Sequence, residues 1–236
     1  MTELLSSPQL FWIPLLQIIG VNIVLSGDNA VVIALAARAL PPAQQKKAVI
    51  WGSGAAIAMR IVLTLTAVAL LSMPYLKIVG SALLLWIGIQ LINSDDEGEN
   101  IESSSSLTAA IKTILVADLV MSLDNVIAVA AAAKGSFVLL IIGLAISIPL
   151  VIFGATMLLR LMERFPIIVT IGAALLGYVS GEMAVTDPAA QPWIDENFEV
   201  LHRILPITFA ALVLVVGKFL NKRKQLAAAK LSEERC

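Results

Sequence analysis

Two short motifs set carboxylates and amides inside apolar sequence. The first reads Asn22-Ile23-Val24-Leu25-Ser26-Gly27-Asp28-Asn29 and continues Ala30-Val31-Val32-Ile33-Ala34. The second reads Asp118-Leu119-Val120-Met121-Ser122-Leu123-Asp124-Asn125 and continues Val126-Ile127-Ala128-Val129-Ala130. Helix positions i, i+4 and i+7 share a face. Asn22, Ser26 and Asn29 therefore form one polar stripe, and Asp118, Ser122 and Asn125 another. Asp28 and Asp124 stand about 100° round the axis from those stripes. A modest unwinding at Ser26-Gly27 would turn Asp28 in with the rest and free backbone carbonyls. Oxygen-bearing side chains at Asp28, Asn29, Asn22, Asp118, Asp124 and Asn125 would then converge.

The chemistry of such a set is that of hard ligands. Carboxylate, amide and carbonyl oxygens suit Mg²⁺, Ca²⁺ and Mn²⁺. No Cys or His lies in the apolar segments to select Zn²⁺ or Cu⁺. Three ionised aspartates against Arg60, in the second apolar segment, would leave the charge needed to balance one divalent cation. A carboxylate that takes a proton when metal leaves would exchange metal for protons. An aspartate in hydrocarbon costs roughly 3 kcal/mol or more, so matched aspartates in two apolar segments point to function. Ser26 and Ser122 have a plainer role open to them, as hydrogen bonds between spans. Arg60 serves either as an ion-pair partner for an aspartate or as a gate. Gln90 and Glu182 fall near helix ends, where a solvated side chain is the simpler reading.

Positioning these groups requires membrane helices. The chain has 236 residues, 59% hydrophobic and 14% charged, with a mean hydropathy of +0.93. Soluble domains carry about 25% charged residues. The net charge of −1 gives no reason to expect a nucleic-acid partner. The single Cys236 and lone His202 form neither a disulfide framework nor a zinc site. No basic n-region with an A-x-A cleavage site marks the start, so the first apolar segment is expected to stay as a helix.

A spanning helix needs about 20 apolar residues. About seven segments qualify: 10–38, 47–72, 74–92, 107–133, 136–160, 166–184 and 203–220. The first and fourth are long enough to be tilted or broken. Pro149 should kink the fifth, while Pro74 and Pro166 sit at helix starts. Pro74 with Gly80 matches Pro166 with Gly172; Trp86 then aligns with Tyr178, and Gln90 with Glu182. The fold expected is an all-α polytopic membrane protein. It comprises a three-helix repeat (1–92), an acidic Ser-rich linker (93–106), a second three-helix repeat (107–184), a loop (185–202), and a seventh helix with a basic tail (203–236). An odd number of spans per repeat inverts the second copy. Gly52, Gly54, Gly80, Gly143, Gly154 and Gly172 are read as close helix contacts, and Trp51, Trp86, Tyr178 and Trp193 as interfacial aromatics.

Basic residues in loops set the orientation. Arg38, Lys46, Lys47, Arg160, Arg164, Lys218, Lys222, Arg223, Lys224 and Lys230 share one side, cytoplasmic if the N-terminus is outside. Lys77, Lys134 and Arg203 fall opposite, with the acidic loop holding Asp187, Asp195, Glu196 and Glu199. The acidic run Asp95-Asp96-Glu97-Gly98-Glu99 counts little in this rule. The tail from Lys222 to Cys236 is expected to lie at the membrane surface.

At these motifs, across residues 10 to 220, the chain resembles the TerC family, in its YjbE-like branch of metal transporters, and is similar to the wider LysE group of exporters. The resemblance implies a multi-pass bacterial cytoplasmic-membrane protein with manganese efflux as its activity. It carries the metal role onto Asp28, Asn29, Asp118, Asp124 and Asn125. Many members have an acidic residue where this chain has Asn22. No tightly bound cofactor is expected; Mn²⁺ or another divalent cation is the substrate, the lipid bilayer is the other partner, and oligomeric state stays open. Two other readings compete. An intramembrane aspartyl protease would use Asp28 and Asp124 as its acid/base pair, but the Gly-x-Gly-Asp signature is missing. A non-transporting partner would bind metal or support insertion of other membrane proteins.

Overall fold

The computed structural model describes residues 8–71, 73–93, 103–133 and 136–233, and the regular structure among them is helical throughout. The helices are α1 (Pro8–Leu25), α2 (Gly27–Arg38), α3 (Pro42–Leu71), α4 (Leu76–Ile92), α5 (Ser103–Ala133), α6 (Phe137–Arg164), α7 (Ile167–Val185), α8 (Gln191–Asn197) and α9 (Leu201–Glu233). Four described stretches are long and apolar enough to cross a membrane: Pro42–Thr64, Phe137–Arg164, Ile167–Val185 and Leu201–Arg223. Leu76–Ile92 is a shorter apolar helix.

The first long segment is broken and the fourth is not. α1 stops at Leu25, Ser26 takes φ −107° and ψ 1°, and α2 begins at Gly27. The second motif has Leu123 where the first has Gly27. Leu favours the helix by close to 1 kcal/mol over Gly, and α5 runs through Ser122 and Asp124 without interruption.

α2 lies at the centre. Asn29, Ala30, Val32, Ile33, Ala34, Leu35, Ala36 and Ala37 are all buried, which marks a helix enclosed on every side. It packs against α3, α5, α6 and α7. The main core joins it to Ile114, Ala117 and Val120 of α5, Leu84 and Ile87 of α4, Ala155 and Leu159 of α6, and Leu176 of α7. Outward faces stay apolar: Ile146, Leu150, Phe153 and Met157 of α6, and Ile207, Val215 and Phe219 of α9, are exposed. Trp51, Trp86, Tyr178 and Trp193 are exposed as well.

Small residues set several crossings. A methyl group added at Gly52 would lie 2.7 Å from Ile114 Cδ1, at Gly80 2.9 Å from Val120 Cγ1, and at Gly172 2.8 Å from Val31 Cγ1. Gly143 packs as closely on Ile18. Gly54 departs from expectation, with nothing within 4 Å among the described residues, and Gly154 makes only ordinary contact with Ala30. Gly177 and Gly181 press instead on the α9 backbone at Phe209 and Pro206.

Several boundaries differ from the sequence reading, among them the start of α3 at Pro42 and the end of α6 at Arg164. α5 starts at Ser103, because serines are tolerated in a first turn where N–H groups need acceptors. The loop 185–202 contains α8. The tail continues α9 to Glu233; Ala227-Ala228-Ala229 and its lysines favour helix. At 1.5 Å per residue such a helix outruns a hydrocarbon core of about 30 Å. α6 is a single helix through Pro149. The acidic run 95–99, Lys134 and Cys236 lie outside the described residues.

Asp187 ties the halves together. Fully buried, it accepts N–H bonds from Tyr75 (3.0 Å), Lys77 (3.1 Å), Ile78 (3.3 Å) and Ala189 (2.8 Å). Three of these donors belong to the start of α4, where Tyr75 takes a left-handed φ of 67°. Burial pushes the carboxyl up, but the backbone donors at Ala189, Tyr75, Ile78 and Lys77 outweigh it and hold Asp187 below the ordinary 3.8. A depressed folded-state pKa stabilises above the unfolded value and fades as pH falls through the folded one. Asp187→Asn should therefore cost about 1–3 kcal/mol at neutral pH. The gap from the native protein in thermal unfolding should hold from pH 7 to 5 and close only below pH 4.

Candidate functional site

Arg60, on α3, is the hub. It is 2% exposed, in the interior beside Asp118 (5%), Ser26 (4%) and Ser122 (0%). Its Nη2 donates to Asp118 Oδ1 at 2.5 Å, its Nε to Ser122 Oγ at 2.9 Å, and its Nη1 to Ser26 Oγ at 3.2 Å. Ser122 Oγ donates in turn to the other carboxylate oxygen, Asp118 Oδ2, at 3.2 Å. One guanidinium thus joins α3, the break between α1 and α2, and α5. Guanidinium geometry supports this, since its donors spread in a fixed planar fork.

Local structure explains the arrangement. Asp118 and Ser122 are i, i+4 on α5 and share a face. Gly52 lets α3 close on Ile114, which brings Arg60 alongside that face. Thr64 Oγ1 donates back to the Arg60 carbonyl at 2.7 Å, a bond that often bends helices slightly. Ser26 sits outside regular helix, and its carbonyl still accepts from Ala30 N at 2.9 Å.

The other candidates are placed differently. Asp28 is half-buried in the first turn of α2, and its Oδ1 accepts from the Asn29 N–H at 2.8 Å. A carboxylate there meets the positive end of the helix dipole. Asp28 makes no ion pair with Arg60 among the described residues. Asn29 and Asn125 are buried, at 2% and 8% exposed. The side chains of Asn22 and Asp124 lie outside the described residues; their backbones belong to α1 and α5. Gln90 and Glu182 are exposed.

Among the described residues no group of three or more His, Cys, Asp or Glu side chains is set to hold a metal ion. Asp118 is committed to Arg60, and the amides Asn29 and Asn125 supply neutral oxygens. Ser26 and Ser122 do bridge helices, through Arg60 rather than to one another. A direct serine pair occurs elsewhere, with Ser81 and Ser180 Oγ atoms 3.1 Å apart between α4 and α7. Thr64 carries an i, i+4 hydroxyl signal that the sequence reading passed over. Gly177-x-x-x-Gly181 carries an equally visible small-residue spacing.

Lys46, near the start of α3, and Arg160, near the end of α6, line one cavity of about 440 Å³ with Glu163 and Thr156. The loop before α3 and the loop after α6 therefore open on the same side.

Residues 7–225 match the family described as integral membrane protein TerC family. The chain is 44% identical over 207 residues to the uncharacterised membrane protein YjbE of Bacillus subtilis (strain 168), covering 88% of this chain and 94% of that relative. It is 25% identical over 214 residues to the uncharacterised membrane protein YceF of the same organism, covering 86% and 80%. No solved structure matches the chain.

Proposed function

We propose, since the chain belongs to the TerC family of integral membrane proteins, that it is a secondary transporter exporting a divalent metal ion, Mn²⁺ foremost, in exchange for protons. The observation that carries this reading is the meeting of both motif copies at one point: Ser26 of the first and Ser122 of the second bind the same guanidinium. A site shared by two repeats at a broken helix is the arrangement that transporters place near the bilayer midplane.

α1 and α2 count as one broken span, and α3, α4, α5, α6, α7 and α9 make seven. Packing supports a two-fold relation between two three-helix repeats, which an odd number of spans in each makes inverted. Exchanging α1/α2 with α5, α3 with α6 and α4 with α7 carries the main inter-repeat contacts onto one another: α3–α5 onto α6–α1 and α6–α2, and α4–α5 onto α7–α2. The close approach of Gly52 to Ile114 returns as Gly143 to Ile18, and Ile18 and Ile114 hold the same place relative to Ser26 and Ser122. The cavity shared by Lys46 and Arg160 agrees with a cytoplasmic placement of both basic loops, an outside N-terminus and a cytoplasmic C-terminus.

In this reading Asp28, Asn29, Asp118, Asp124 and Asn125 ligate the ion. Rocking of one repeat against the other exposes the site to either side. No covalent step and no resident cofactor are involved. The test is Mn²⁺ flux in proteoliposomes of the purified protein under an imposed pH gradient. Gradient-dependent flux is expected, and Asp28→Asn and Asp124→Asn should each lower it at least a hundredfold while leaving folded protein in the membrane. Native-like flux in both variants rules out the site. Absence of Mn²⁺, Ca²⁺ and Mg²⁺ flux in the native protein rules out the transporter.

A further inference from the structure

We propose that Arg60 is a tethered cation that competes with the transported ion: its guanidinium occupies the ion's place on Asp118 and the motif serines, and the ion enters by displacing it. This rests on the transport reading above and adds how its site is regulated.

The number of contacts argues for more than neutralising one aspartate. A neutralising arginine needs one carboxylate. Arg60 spreads three nitrogens over Asp118, Ser122 and Ser26, gathering oxygens from both motif copies. These are hard oxygen donors, the class a divalent cation takes. Nη2 lies 2.5 Å from Asp118 Oδ1, so a metal ion that takes the lone pair facing the guanidinium must displace it. On that lone pair the two cations are alternatives.

Burial and asymmetry point the same way. Arg60 is nearly inaccessible at 2%, and a buried ion pair is seldom retained for stability alone, since apolar replacements often serve as well. The second repeat offers no equivalent cation: the matching stretch of α6 around Pro149 and Val151 is apolar. One guanidinium per two motif copies is what a stand-in for a single shared ion requires. Displacement also gives the ion a handle on conformation. Arg60 links α3 to α5 and to the α1–α2 break, so an ion that frees it weakens contacts between opposite repeats. A ligand shifts a conformational equilibrium only through such a difference between states.

The experiment measures Mn²⁺ binding to the purified full-length protein in nanodiscs by titration calorimetry, for the native chain, Arg60→Gln and Arg60→Lys. Arg60→Gln should bind Mn²⁺ at least tenfold more tightly than the native protein while its flux falls. Arg60→Lys, which keeps a charge but loses the fork, should lie between, and stands in should Arg60→Gln not fold. Millimolar guanidinium should weaken Mn²⁺ binding to Arg60→Gln and leave the native protein unchanged, an effect that a purely structural arginine does not produce. Mn²⁺ binding that is equal or weaker in both variants, or blind to guanidinium, overturns the tethered cation and leaves the transporter standing. Absence of binding in all three proteins overturns both.

Discussion

Asp118→Ala should cost on the order of 3–5 kcal/mol of stability, the range for breaking a buried ion pair from one side. The carboxylate takes the shortest of the three bonds from the Arg60 guanidinium. Without it, a cation 2% exposed loses the carboxylate that Nη2 meets, and Ser122 loses the acceptor at Asp118 Oδ2. Asp118→Asn should fall between, because the amide preserves an acceptor and shape but not charge. The double change Asp118→Leu with Arg60→Met should restore most of the loss, since apolar pairs of similar volume often match buried ion pairs. Denaturant unfolding of the purified protein in detergent, followed by tryptophan fluorescence, measures all three. A loss below about 1 kcal/mol in Asp118→Ala would show that the other partners of Arg60 suffice without this carboxylate, contrary to the desolvation argument. Failure of the double variant to recover would assign the cost to packing at α3–α5 rather than to charge.

The places where sequence foretold this site are those where local chemistry decides. Apolar length places the long helices, though it misses the short α8 and the extension of α9 to Glu233. The break at Ser26 follows from Gly27, and its absence in α5 follows from Leu123, a difference visible in the two motifs side by side. The i, i+4 spacing of Asp118 and Ser122 predicts their shared face, and they share it. Arg60 is another matter. A lone arginine in an apolar span must find an acid, but which one depends on how α3 registers on α5, and that is set by the seating of Gly52 on Ile114. Asp28 turns toward its own helix start because backbone donors are nearest, a local competition that the idealised stripe leaves out. Asp187 is less legible still. Its donors at Tyr75, Lys77 and Ile78 lie in the other half of the chain, and nothing near it in sequence announces them. Gly177 and Gly181 were legible, since four-residue spacing of small residues is a known device for close helices.

Gly181→Val should detach α9 from α7. A methyl group at Gly181 would lie 2.7 Å from Pro206 N and 2.8 Å from Leu205 O; at Gly177 it would lie 2.6 Å from Phe209 O and 2.8 Å from Ala210 Cα. These neighbours are backbone, so no rotamer change relieves the clash, and the helices must part. Lipid tails are as apolar as leucine, so close packing, not exclusion from water, holds such helices together. A separation of even an ångström forfeits much of the dispersion attraction along the contact. The expected loss is about 3 kcal/mol, at the upper end for overpacking. Gly54→Ala supplies the opposite case within one protein. Nothing among the described residues lies within 4 Å of the added carbon, so the better helix propensity of alanine should raise stability by up to about 1 kcal/mol. Both variants are read by thermal unfolding in detergent, and limited proteolysis should free a fragment ending α9 in Gly181→Val alone. Equal behaviour of the two glycines would mean that backbone proximity does not govern this crossing. A selective loss at Gly181 would establish the α7–α9 contact as the clamp that fixes α9 to the rest of the bundle.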